Sequence, residues 1–153
     1  MRSMSSLRTF DIWFISFAKK YYPWIARIAL FVIYFYFGFL KIIGLSPADK
    51  LALGFADKMG AGAYAHELFI VLAFVECLIG ILILIPKLTR LAILIMLLHM
   101  VLVCSPLLLY PEAVWQSPFV PNLEGQYIMK NAALVALALG LVASTAPLHR
   151  KKK

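Results

Sequence analysis

Four stretches of about twenty mostly apolar residues, at roughly 24–44, 67–86, 91–109 and 127–146, leave this chain few ways to fold. A helix needs about 20 such residues to cross the hydrocarbon core of a bilayer. The stretches do not alternate apolar and polar residues, as the strands of a membrane barrel would. Only 14% of the residues are charged, 63% are hydrophobic, and the mean hydropathy is +0.90. A soluble domain carries about 25% charged residues. The expected fold is therefore an all-α membrane protein: one domain over 1–153, a four-transmembrane-helix bundle with short amphipathic interfacial helices. The first stretch is too long for a cleavable signal, and no small-x-small site follows it.

Charge sets the expected topology. The net charge of +8 is not spread as a nucleic-acid-binding face would be. Arg2, Arg8, Lys19, Lys20 and Arg27 sit at the first stretch, Lys87 and Arg90 between the second and third, and Arg150 to Lys153 end the chain. The connection 112–126 has neither Lys nor Arg. By the positive-inside rule both termini and the 87–90 turn face the cytoplasm of a cell (inner) membrane. The basic tail is expected to touch anionic headgroups.

Between the spans, Thr9–Tyr22 reads as a separate helix lying in the inner interface, with aromatic residues on one side. Ser46-Pro47-Ala48-Asp49 is a helix-start signal for a short outer helix over about 47–59. Three prolines keep 110–126 from being one regular element, and Trp115, Phe119 and Tyr127 are expected to anchor it at the headgroups. In the last span, Ala133, Ala136, Gly140 and Ser144 form a small-residue side suited to close helix approach.

Ionisable groups inside spans are costly and are read first as functional. Glu76 lies at the middle of the second span and His99 at the middle of the third. Counting from the turn between them puts both about 14–15 Å from the inner surface. Tyr34 falls at a similar level, so Tyr34, Glu76 and His99 are expected to share one layer. Ala73, Glu76, Cys77 and Gly80 share a helix face, as do Tyr34, Gly38 and Lys41. A second polar group, Lys41, Glu67, Glu124, Lys130 and Asn131, is expected nearer the outer surface, with its cations and acids pairing. The plainer alternatives stay open: the four charged members snorkel to the interface, Asn131 bridges helices, and His99 is a satisfied bundle histidine. Cys77 and Cys104 lie at different depths and read as small apolar packers. No metal-ligand spacing, phosphate-binding glycine loop, nucleophile elbow or haem attachment motif occurs, so no metal and no intrinsic cofactor are expected.

Three ordered segments carry a family resemblance. Arg27 through Gly38 to Lys41 has the form R-x(10)-G-x-x-K. Phe74-Val-Glu76-Cys-Leu-Ile-Gly80 is followed by a Leu/Ile run, and Met129-Lys130-Asn131 opens the final Ala/Leu span. Over about residues 24–146 the chain resembles the DoxX-like family of small four-span membrane proteins. It departs from that pattern at Ile85-Pro86, where the family often has glycine. The resemblance implies a four-helix bundle linked to membrane redox chemistry. Similar proteins include the membrane subunit of a thiosulfate:quinone oxidoreductase and a partner in an oxidative-stress complex. Its positional carry-over falls on Lys41, Glu76, Lys130 and Asn131.

The expected function is a redox-associated subunit that binds a quinone or lipid-like small molecule in the bundle. The alternative is a non-enzymatic assembly factor or scaffold of a membrane complex. A proton-coupled transporter is disfavoured by the small number of spans, and would need a homo-oligomer. The expected partners are the lipid bilayer and a redox or membrane-complex protein.

Overall fold

The computed structural model describes residues 2–146, with side chains described from Leu7 onward. The basic residues at 150–153 lie outside the described residues. Among those described, four helices are long and apolar enough to cross a membrane: Leu7–Ile42, Gly62–Leu84, Pro86–Leu109 and Leu123–Ala143. They form an all-α four-helix bundle.

The first helix is built from α1 (Arg2–Phe31), a π turn (Val32–Tyr36) and α2 (Phe37–Ile42) without a break. The expected separate interfacial helix at Thr9–Tyr22 is thus continuous with the span. Pro23 lies inside α1 and does not end it, and no glycine or polar turn flanks it. The Leu7–Ile42 segment has 36 residues, or about 54 Å of helix against a hydrocarbon core of about 30 Å. Its N-terminal half carries an aromatic ladder, Phe10, Trp13, Phe14, Phe17 and Tyr21, with ring centroids 4.6–6.2 Å apart.

α3 (Asp49–Lys58) is the short helix expected over about 47–59, and it buries no residue fully. It lies between the first helix and α4 (Ala65–Leu84). A short 3-10 turn (Pro86–Leu88) leads to α5 (Thr89–Cys104). α6 (Pro106–Leu109) extends the third span beyond Ser105. α7 (Pro111–Val114) and a hairpin of β1 (Trp115–Ser117) and β2 (Val120–Pro121) form the loop between α6 and the last helix. α8 (Leu123–Ala143) starts earlier than the expected 127, because the Asn122 side chain accepts from the Gly125 N–H and caps it. In the loop Trp115 is half-buried and donates its indole N–H to Leu107 O at 3.0 Å. Phe119, at the hairpin tip, is 94% exposed with φ 63°.

The core runs along the bundle axis through Leu30, Ile79, Ile83, Ala92, Met96, Ala138 and Leu141. The outward faces carry Val71, Phe74, Leu94, Leu98 and Val101, all exposed, as lipid-facing helices require. On α8 the expected small-residue side is mostly not the packing face. Ala133, Ala136 and Ser144 are exposed, whereas Ala138 and Leu141 are buried. Only Gly140 makes a close approach, to Tyr22, whose hydroxyl donates to Leu137 O at 2.8 Å.

Candidate functional site

α2 and α4 approach most closely at two glycines. A Cβ on Gly38 would lie 2.9 Å from Ala73 O, Cys77 Sγ and Glu76 Cβ. A Cβ on Gly80 would lie 2.9 Å from the Phe35 N and Cβ atoms. Backbones can draw this near only where side chains are absent. The π turn lies opposite Gly80. Such wide turns are rare and recur at functional sites, and this one holds Tyr34 at its centre. The Cys77 thiol donates to its Phe35 carbonyl at 3.7 Å.

This seam delivers Lys41 to Glu76. Lys41 Nζ lies 2.5 Å from Glu76 Oε2, and the two side chains are only 10% and 9% exposed. On the far side of the same carboxylate, His99 Nε2 of α5 lies 3.3 Å from Oε1. That is ion-pair range for a protonated imidazole. Among the described residues neither His99 ring nitrogen has a hydrogen-bond partner, and the buried Tyr34 hydroxyl also lacks one. The Tyr34 and His99 rings meet edge-on, 5.6 Å between centroids at 65°.

The expected layer of Tyr34, Glu76 and His99 is thus assembled. The expected outer cluster is not. Lys41 leaves it, because its flexible four-carbon stem reaches inward to the midplane acid. Glu67 and Glu124 are exposed, and Asn131 is half-buried. Lys130 is also exposed, with Nζ 5.1 Å from the centre of the Tyr127 ring. Among the described residues no ion pair joins these four. The desolvation that would drive such pairing is absent at the surface.

Arg27 is buried, although its charge was counted with the inner surface. Its Nη1 donates to Ile83 O at 2.7 Å and to Thr89 Oγ1 at 2.6 Å, and Thr89 Oγ1 donates to Pro86 O at 2.9 Å. The guanidinium thus caps the C-terminal end of α4, where the helix dipole favours a cation. The available signal was its position three residues inside the first apolar stretch. At the opposite end Lys58 forms an exposed ion pair with Glu112 and lies over the Tyr110 ring at 5.8 Å. Hydrogen bonding to Lys58 holds the Glu112 carboxyl below the usual range, and Glu112 raises Lys58. Among the described residues no group of three or more His, Cys, Asp or Glu forms a metal site.

Comparison with protein-family models, with curated proteins and with solved structures finds no match to this chain.

Proposed function

We propose that this protein is a redox-associated membrane subunit that holds a quinone, or a similar lipid-soluble molecule with a carbonyl or hydroxyl head, beside Tyr34 and His99. One observation carries the reading: a buried polar cluster in which the Tyr34 hydroxyl and both His99 nitrogens make no hydrogen bond among the described residues, His99 Nε2 having only the Glu76 carboxylate within ion-pair range. Nearly all buried polar groups are satisfied, so each exception calls for an explanation. A ligand oxygen supplies one here, accepting a hydrogen bond from the Tyr34 hydroxyl and making a second contact with His99. A bound quinone would contribute the two-electron redox couple. The chain's own residues would orient its head and exchange protons, with Glu76 held between Lys41 and His99. The electrons would come from a partner subunit. The resemblance to DoxX-like proteins supports the same reading. The charge distribution supports placement in the inner membrane with the 87–90 turn in the cytoplasm and α3 outside.

The test is to purify the protein in mild detergent and assay co-purified or added quinone by absorbance and mass. Wild type is expected to retain it. Glu76→Gln is expected to insert and fold but to lose it, because Gln keeps the shape and not the charge. Retention by Glu76→Gln, or no retention by wild type, would reject the reading and leave the assembly-factor role as the better one.

A further inference from the structure

The two halves of the bundle differ in what they offer a proton. Below Glu76, toward the Thr89 end, the interior is filled by Leu30, Ile79, Ile83, Met96 and Leu141, each at 0% exposure. A water molecule inside a protein needs two to four polar partners, and these side chains supply none. On that side the Cys77 thiol is taken up by the Phe35 carbonyl, and the buried charged group is Arg27. It is held by Ile83 O and Thr89, and a guanidinium does not give up its proton in proteins. The other direction is different. Lys41 is one residue from the end of α2 at Ile42. Its side chain and that of Glu76 keep 10% and 9% of their surface accessible. α3, which follows at that end, buries none of its residues.

We propose that protons reach and leave the Lys41–Glu76–His99–Tyr34 cluster only from the α3 end of the bundle, the Thr89 end being sealed by apolar packing. The inference rests on the proton-handling role proposed above and adds its direction. A proton exchanged with a bound ligand passes through Glu76 and Lys41 to water at the α3 end. No charge crosses the other half, so the site takes up and releases protons on one side of the membrane.

The experiment reads access and needs no ligand. In a Cys77→Ser/Cys104→Ser background, place a single reporter thiol as His99→Cys or as Tyr34→Cys. Reconstitute in vesicles of known orientation and add a charged, membrane-impermeant thiol reagent to one side at a time. Labelling is expected to be at least tenfold faster from the α3 side. Equal rates, faster labelling from the Thr89 side, or labelling from neither side would overturn the proposal. Should both reporters fail to fold, native Cys104, five residues beyond His99 toward the α3 end, serves in the Cys77→Ser protein with the same expectation. Quinone retention is scored separately, so failure of the ligand reading and failure of the sidedness are distinct results.

Discussion

Among the described residues the bundle buries two cations, Lys41 and Arg27, and treats them in opposite ways. Arg27 meets neutral acceptors, a helix-end carbonyl and a threonine hydroxyl, both in good hydrogen-bond range. Lys41 meets a carboxylate, and the groups around that carboxylate are left with unused hydrogen-bonding atoms. A buried charge that only ties helices together is satisfied locally. A cluster that leaves a tyrosine hydroxyl and two imidazole nitrogens without a hydrogen bond has been built at a cost to stability. The difference separates a structural charge from a candidate site, and burial alone does not make that distinction.

The comparison breaks first at the ion pair. Lys41→Met leaves Glu76 buried without its cation and is expected to destabilise the protein by about 3–5 kcal/mol. Lys41→Met combined with Glu76→Leu should recover most of that loss, because a buried pair exchanged for apolar residues is often near neutral. Detergent melts of both singles and the double give the coupling. Additive effects would mean that the pair does not exist in the membrane protein. Glu67→Gln, at an exposed position, should change stability by less than about 0.5 kcal/mol.

At the other cation, Arg27→Met removes two charge-assisted bonds, for an expected loss of about 2–4 kcal/mol. Quinone retention at the distant cluster should be unchanged. A variant that melts normally yet loses ligand would erase the distinction between the two cations.

Tyr34→Phe sharpens the contrast, because the hydroxyl it removes has no protein partner. Stability should hold or rise slightly, while ligand occupancy falls about tenfold, or about 1.4 kcal/mol of binding. Lowered stability with unchanged occupancy would assign the hydroxyl a structural role.

The smallest effect belongs to the exposed Lys58–Glu112 pair. Glu112 is depressed, so its contribution is present above the ordinary glutamate range and fades as pH falls through its lowered value. Lys58 is raised, so its contribution is present below the ordinary lysine range and is lost only in strong alkali. Glu112→Gln should abolish the acid-side weakening of the contact between α3 and α7. Spin-label distances at that contact as a function of pH would show it. An acid-side change that persists in Glu112→Gln would assign the weakening to another group.

Much of this was legible before any fold was known. The four spans follow from run length and composition. The Tyr34–Glu76–His99 layer follows from counting residues out of one tight turn, because helical rise converts sequence distance into depth. Lys41 was misplaced, since that counting locates a Cα and not the end of a long side chain. Arg27 was read as a surface charge for a similar reason. A residue near a span's end can face headgroups or the bundle, and only the neighbouring helices determine which. The Thr9–Tyr22 segment was read as separate from its aromatic, interface-like character, but that composition does not end a helix, and α1 continues through it into the span. Here the first helix runs through Pro23 without turning.

The sequence by itself determined the class of this protein, the number of its spans and the shared level of Glu76 and His99 along the bundle. Those are properties of single segments, fixed by hydropathy and helical rise. The tertiary structure alone decided that Lys41 pairs with Glu76, that Arg27 caps α4, and that Tyr34 and His99 keep unused hydrogen-bonding atoms beside that pair. These depend on how closely two helices approach and how they are rotated. Gly38, Gly80 and the π turn set both by steric contact between segments far apart in the chain.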